Sequence, residues 1–486
     1  TNPEKIQLTP VTGVRSMKIS NDTVAEIVQR VIGQLAENGK IPARDPGEII
    51  PGDGVFKCLD EAVAKARIAH KRLVALNLEK RFEIIAAIRK EALKKVEFIA
   101  RFAHQETGMG RYEDKVNKNK LAITKTPGPE DLSPQAFTGD SGLTLEENAP
   151  YGVIGSITPS TNPTETILNN GIGMLSAGNA VVFGIHPRAK RCCQWLIQFL
   201  NRTIESAGGP PDLMSTIYEP SLEGTQNLMR HQGSRLLVVT GGPGVVSEAF
   251  KSGKKVMAAG PGNPPAVVDE TADIPNAAKN ILAGSTLDNN IVCIAEKEIV
   301  AVASIADRLT RELKDIGAVE IGPTDLMKLE RLLITPDNKV NVKFCGKNAS
   351  VILEEIGIRV ADSTRMIFTE VEASHPFVQH ELLMPVIPLV RVPDVETAIE
   401  LAVDVEHGFC HTATMHSKNI DNLHNMAVAF DGSIFVKNGP SFAGIGLGGE
   451  GFTSFTICSP TGEGLTRTRT FVRRRRCTLV DHFRIV

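Results

Sequence analysis

From Gly152 onward, short apolar runs alternate with helical stretches, and this alternation limits the possible folds more than any other feature of the chain. Val153–Ile157, Ala180–Ile185, Ser215–Tyr218, Arg235–Thr240 and Lys255–Ala258 read as buried parallel strands. The intervening segments 164–177, 187–207, 221–231 and 244–252 read as helices. Strands separated by helices predict a doubly wound α/β sheet. A second block of the same texture runs from about Ala266 to Val436, and Phe471-Val-Arg-Arg-Arg-Arg-Cys-Thr-Leu-Val480 reads as a further strand. Between Val55 and about Thr107 the pattern predicts two helical segments, with Ile84, Ile85, Ile88, Leu93, Val96 and Ile99 as their apolar positions.

The first fifty residues differ. Val24, Ile27, Val28, Val31, Ile32 and Leu35 form one stripe at helical spacing, and Thr23 and Glu26 have the spacing of a capping box. Asn38-Gly-Lys-Ile-Pro-Ala-Arg-Asp-Pro-Gly47 then reads as a linker. Such a helix either docks on its own domain or is presented to a partner's groove. The full chain of 486 residues has room for two or three domains. A net charge of −2 gives no general attraction for nucleic acid, and the run Arg473–Arg476 lacks interleaved aromatics. No apolar run reaches the length of a membrane span and no secretory signal opens the chain, so the expectation is a cytosolic protein. The eight cysteines form no CxxC pair and no zinc spacing, and no metal is expected.

Several predicted strand ends carry chemistry. Thr158-Pro-Ser-Thr-Asn-Pro-Thr164 follows the first strand of the sheet, where α/β folds bind ligands. Asn162 there offers an amide donor for a developing oxyanion, or merely satisfies a Pro-bracketed turn. His186, Arg188, Lys190 and Arg191 cluster after the next strand, a place for nucleotide phosphate or ribose as well as for solvated surface charge. Thr240-Gly241-Gly242 opens a helix after another strand, which suits close approach to a pyrophosphate without matching the full GxGxxG spacing. Cys293 lies in Leu287-Asp-Asn-Asn-Ile-Val-Cys-Ile-Ala-Glu-Lys297, where the asparagines suit a loop-to-helix junction. A nucleophile there needs partial access and a lowered pKa; the same residues also fit a buried structural thiol. Upstream, Val256-Met-Ala-Ala-Gly-Pro-Gly-Asn-Pro-Pro265 contains no acid.

These elements, in this order, resemble the aldehyde dehydrogenase superfamily, and within it the CoA-acylating branch. The likeness rests on Ile157–Asn162, the Ala177-Gly-Asn179 turn with its strand and His186-Pro187, the Thr240-Gly-Gly loop, Cys293 and His380-Glu-Leu-Leu-Met-Pro-Val386. Asp288-Asn-Asn-Ile-Val-Cys293 and Gly260-Pro-Gly-Asn263 look typical of acylating members. The resemblance covers about residues 50–486. It implies Cys293 as nucleophile, Asn162 as oxyanion donor (Thr161 if the register shifts by one) and His411 as an aid to the incoming thiol. It implies Glu381 on the nicotinamide ribose, with Thr158, Pro159, His186, Arg188, Thr240, Gly241 and Gly242 around the dinucleotide. Arg188 could meet either a 2′-phosphate or the 3′-phosphate of CoA. Ala259, 293 − 259 = 34 residues before the cysteine, stands where the hydrolytic branch has its water-activating glutamate.

The implied architecture is an α/β aldehyde dehydrogenase fold. Residues 1–50 form the extension and 51–265 a Rossmann-like cofactor domain, with part of a β oligomerisation arm near 125–150. Residues 266–436 form an α/β catalytic domain, and 437–486 return to the cofactor domain and the arm. The implied reaction joins a short-chain aldehyde, propionaldehyde favoured, to CoA with reduction of NAD. Acetaldehyde, succinic semialdehyde and an inactive cargo or scaffold protein are the alternatives. The extension is similar to encapsulation peptides of bacterial microcompartment enzymes. That likeness implies a place in the bacterial cytoplasm, inside a microcompartment, binding a shell protein through residues 20–37, while the family's oligomerisation arm implies a homodimer or homotetramer; charge and apolar runs lead us to expect no nucleic-acid or membrane partner.

Overall fold

A computed structural model describes residues 49–485; the amphipathic stripe of Val24–Leu35 lies outside the described residues. Six parallel strands make the first sheet, in the order Val55–Phe56, Met214–Ile217, Ala180–Gly184, Val153–Ile157, Leu236–Thr240, Lys255–Ala259. Seven parallel strands make the second: Val319–Glu320, Ile367–Glu370, Val386–Val392, Glu298–Val302, Pro265–Val268, Thr412–His416, Ile434–Lys437. The five strands expected in the first sheet occur with ends displaced by one residue or so. Nearly every residue in them is buried, because helices cover both faces.

The helix Pro163–Ser176 explains how the first sheet is filled. Every one of its residues is buried, so it has no polar face. Two of its asparagines are satisfied internally, Asn170 donating to Ser156 Oγ at 3.1 Å and Asn169 to Thr126 Oγ1 at 2.8 Å. The Gly178-Asn179 turn then closes onto its neighbours. Asn179 Oδ1 accepts from the Tyr151 and Gly152 amides, and its Nδ2 donates to the Phe471 carbonyl.

The region Val55–Thr107 holds three helices, Leu59–Ala75, Leu78–Lys94 and Val96–Thr107, rather than two. Asn77 starts the second by accepting from the Lys80 amide at 2.9 Å, and the chain bends again at Lys95, where φ is −109° and ψ 5°. Leu93 and Val96 therefore lie on different helices. A fourth helix, Tyr112–Lys125, follows and bears two fully buried lysines, Lys115 and Lys118.

Three antiparallel strands, Val472–Val480, Gly142–Pro150 and Gln135–Gly139, form a separate sheet. The arginine run lies in its first strand. Glu146 of the adjoining strand pairs with Arg474 at 3.2 Å and Arg476 at 3.3 Å, and Arg473 donates to the Pro150 carbonyl. Among the described residues no helix is long and apolar enough to cross a membrane.

Candidate active site

Strands Val153–Ile157 and Leu236–Thr240 are neighbours in the sheet, but their outgoing connections run to opposite sides. Such a reversal leaves a crevice at the carboxyl ends. A cavity of about 490 Å³ occupies it, walled by Thr158–Asn162, Thr240–Gly242, the Ile291–Ile294 loop, Glu381 and a C-terminal wall that includes Ile445 and Phe455.

The loop bearing Cys293 is built on strained backbone. Asp288, Asn289 and Asn290 have φ of 51°, 56° and 67°, three successive left-handed residues. Each costs about 1 kcal/mol or more in a residue with a side chain, and each side chain is tied down. Asp288 Oδ1 accepts from the Arg111 amide at 2.7 Å. Asn289 donates to the Gly346 carbonyl at 2.9 Å and to Asn348 Oδ1 at 2.7 Å. Asn290 donates to the carbonyls of Ser285 at 2.6 Å and Glu296 at 2.8 Å. Buried Lys297 donates back to the Asn290 carbonyl, Asn290 Oδ1 and the Val292 carbonyl at 2.9, 2.7 and 3.2 Å. Cys293 thus lies in a loop leading into strand Glu298–Val302, not at the start of a helix.

Its electrostatics differ from expectation too. Burial, reinforced by the charge of Glu381 and opposed by Lys297, pushes the Cys293 thiol up to about 12. In this state of the protein the sulfur is a protonated thiol rather than a preformed thiolate.

Asn162 stands at the opposite wall. It occupies the N-cap position of helix Pro163–Ser176 but makes no side-chain cap bond. Instead Oδ1 accepts from Lys118 Nζ at 2.5 Å, while Nδ2 has only Thr161 Oγ1 at 3.3 Å. Lysine is purely a donor, so the amide oxygen faces Lys118 and the N–H₂ is left on the cavity side. Thr161, the alternative donor, also lines the cavity.

Thr158, Pro159, His186, Thr240, Gly241 and Gly242 all line the same cavity. The Thr158 hydroxyl is buried without a partner among the described residues. No side chain caps helix Pro243–Phe250 after Gly242, and nothing lies within 4 Å of where a Cβ on Gly242 or Gly244 would sit. Burial, then the neighbouring Arg188, lowers the His186 imidazole and favours its neutral form. Arg188 is the exception: its side chain is exposed and does not line the cavity.

Glu381 lies past the end of the short helix Pro376–Gln379. Its Oε1 accepts from the Gly262 amide at 3.4 Å, and burial raises its pKa against the pull of Lys297. Gly262 separates two groups of interest. A Cβ there would fall 2.8 Å from the Cys293 carbonyl oxygen and 3.0 Å from His411 Cγ, so only glycine fits. His411 is fully buried behind it and does not line the cavity. Its Nδ1 meets Thr412 Oγ1 at 2.9 Å, its Nε2 has no partner among the described residues, and burial with Lys297 lowers it to about 4. Ala259 forms part of the cavity wall.

Sequence reasoning missed Lys115, Lys118, Asp288, Glu165, Glu296 and Lys297, because charged residues in helices and loops read as solvated. The one available signal was the crowding of Glu296, Lys297 and Glu298 between apolar residues just before a buried strand.

The pattern of the aldehyde dehydrogenase family matches residues 54–325. The chain belongs to the aldehyde dehydrogenase family. It is 47% identical over 474 residues to the acetylating acetaldehyde dehydrogenase EutE of Salmonella typhimurium, covering 96% of this chain and 100% of the relative. Rhodopseudomonas palustris propionaldehyde dehydrogenase, solved with bound CoA and an acylated cysteine, is 49% identical with a TM-score of 0.88, over 90% of this chain and 100% of that one. The propionaldehyde dehydrogenase of a Clostridium phytofermentans fucose-utilisation bacterial microcompartment is 46% identical with a TM-score of 0.88, over 90% and 100% of the two chains.

The electrostatics of this aldehyde dehydrogenase can be read by alkylation. In the ligand-free enzyme near pH 7.5, iodoacetamide should label exposed Cys58 and Cys477 well before Cys293, as followed by peptide mass spectrometry. Glu381→Gln removes a negative neighbour and should quicken labelling of Cys293. An unchanged rate would mean that the carboxylate does not act on the thiol.

Proposed function

We infer that this chain is an NAD-dependent, CoA-acylating aldehyde dehydrogenase, converting a short-chain aldehyde, propionaldehyde foremost, with CoA and NAD⁺ into acyl-CoA and NADH. The observation that carries this reading is a cavity holding one accessible thiol, Cys293, opposite the amide of Asn162, with Ala259 in its wall. The nicotinamide dinucleotide fits an orphan hydroxyl at Thr158, a neutral imidazole at His186, open backbone at Gly242 and the carboxylate of Glu381. Those residues would hold it, with Pro159 and Thr240 beside them; Arg188 could reach only from the rim. When bound, it supplies the acceptor for the aldehyde hydride.

The remaining chemistry belongs to the chain. Cys293 loses its proton to solvent through the cavity and adds as thiolate to the carbonyl carbon, and Asn162 Nδ2 with the Cys293 amide holds the oxygen as it becomes negative. Hydride departure leaves a thioester on Cys293. The sulfur of CoA then attacks that carbonyl; its new C–S bond replaces the bond to Cys293, which leaves as thiolate. We assign the proton of the CoA thiol to His411, which is held neutral, whose Nε2 has no partner among the described residues, and whose ring lies across Gly262 from the Cys293 backbone. One thioester replaces another, so the reaction should run both ways with ping-pong kinetics.

The three-stranded sheet supports assembly as a homodimer or homotetramer. Its outer strands have edges left unpaired among the described residues, and Phe137, Leu479 and Val480 are exposed on them. We also propose that residues 20–37 recruit the enzyme to a microcompartment shell protein in the bacterial cytoplasm. The stripe Val24–Leu35 and the Pro/Gly linker behind it support this, as does the microcompartment origin of the Clostridium phytofermentans relative.

Three measurements test these readings. NADH formation from propanal should depend on CoA, and Cys293→Ala should abolish it with the fold retained by circular dichroism; full-rate NADH and free propionate without CoA would overturn the acylating assignment. Ala259→Glu should introduce CoA-independent propionate release at a rate above the parent's, measured by NADH and acid yield together. Deleting residues 1–40 should leave specific activity unchanged but spread a fluorescent fusion through the cell, and persistent puncta would count against recruitment.

A further inference from the structure

We infer that Lys118 is a positioning residue, which sets the direction of the Asn162 amide and ties it to the loop bearing Cys293. The inference rests on the oxyanion role proposed for Asn162 and deepens it.

An asparagine at an N-cap ordinarily turns its side-chain oxygen toward the first free amides of its helix. Asn162 does not, although it caps helix Pro163–Ser176. Its oxygen goes to the Lys118 ammonium at 2.5 Å, a charged donor that outcompetes neutral amides. The two ends of a carboxamide have nearly the same shape, so nothing steric prevents a flip. An acceptor at position 118 would reverse the amide and present oxygen to the cavity, where it would repel a developing oxyanion. Only a donor leaves the N–H₂ facing substrate.

Lys118 is itself fixed by charges on both sides. Asp288 Oδ2 lies 2.6 Å from its nitrogen, and Glu165 Oε1 lies 3.2 Å away, at ion-pair distance but off the line of a hydrogen bond. Lys115 shares Asp288 at 3.0 Å. All four side chains are fully buried, and two cations balance two anions. Burial alone would lower the Lys118 pKa, but Asp288 and Glu165 overcome it and keep the ammonium charged. Asp288 opens the left-handed turn that leads to Cys293 five residues later. One ammonium therefore contacts both the oxyanion donor and the anchor of the nucleophile's loop.

A buried ion cluster can serve stability alone, so the test must separate the two roles. Lys118→Met, Lys118→Gln, Asn162→Ala and the Lys118→Met/Asn162→Ala double variant are compared by steady-state kinetics with propanal, CoA and NAD⁺. Lys118→Met/Glu165→Gln, which leaves no unpaired charge at Glu165, is carried alongside in case the single methionine variant folds poorly. Lys118→Met should lower kcat by about 10- to 100-fold, with KM for propanal and NAD⁺ held within about twofold. Lys118→Gln, which retains a donor, should recover much of the loss. Once Asn162 is alanine, the methionine should cost little more. The carbonyl stretch of a ¹³C-labelled acyl-Cys293 thioester should move toward that of an unpolarised thioester in Lys118→Met. Parental kcat in the charge-compensated variant, or losses that multiply in the double variant, would overturn the role of Lys118. Parental kcat in Asn162→Ala would instead remove the oxyanion role of Asn162, and the inference with it.

Discussion

Two lysines and two carboxylates, all fully buried, meet where helix Tyr112–Lys125 passes the Asp288 turn, and the geometry of the active site depends on that meeting. Desolvating four charges is costly, and the cost is met only because each ion has an opposite neighbour at 3.2 Å or less. Loss of one partner from such a group typically costs about 3–5 kcal/mol. The cluster is therefore intolerant of slack. It joins a helix packed on helices Val96–Thr107 and Pro163–Ser176, a residue of the latter, and the loop that precedes the second sheet's strand Glu298–Val302. Gly110 shows how close this approach is: a Cβ there would lie 1.9 Å from Asp288 Oδ1.

The Cys293 loop is held from its other end by a second set of buried charges. Lys297 fills the carbonyl cage of Asn290 and Val292, while Glu296 accepts from the Ser441 amide at 2.8 Å and its hydroxyl at 2.7 Å. Ser441 begins the short helical turn ending at Ile445, which lines the cavity. Residues on either side of the cysteine thus bind to distant parts of the chain, Asp288 to helix Tyr112–Lys125 and Glu296 to the Ser441–Ile445 turn. A left-handed run of three residues persists because the surrounding bonds over-determine it.

The sheets were legible in the sequence because parallel strands covered on both faces must be continuously apolar, and Val181–Val182 or Leu237–Val239 could be little else. Cys293, Asn162, His186, Glu381 and the Thr240–Gly242 turn were identified by loop position and resemblance, and they line one cavity. The charged framework behind them was not legible. Lys115 and Lys118 sit among Glu, Asp and Asn in a helix that reads as exposed, and only tertiary pairing makes their burial affordable. The bend at Lys95 escaped notice for a related reason, since no Gly or Pro marks it. The direction of the Cys293 shift could not be read either. It depends on how deeply the sulfur is buried and on Glu381, 88 positions away, neither of which the local sequence records (381 − 293 = 88).

The same framework bears on why water does not compete with a second thiol. Water must be deprotonated as it attacks a thioester, so it needs a free carboxylate near the acyl carbon, whereas a thiol is a far better nucleophile and loses its proton more easily. Among the cavity-lining residues Glu381 is the one acid. Its Oε1 accepts from the Gly262 amide at 3.4 Å, and Lys297 lies within electrostatic reach. The position that would present a second acid carries the methyl group of Ala259. His411 is neutral and could accept a proton, but it lies behind Gly262 with no face in the cavity wall. In the proposed reaction a thioester on Cys293 faces no acid at position 259 and passes to an arriving sulfur nucleophile.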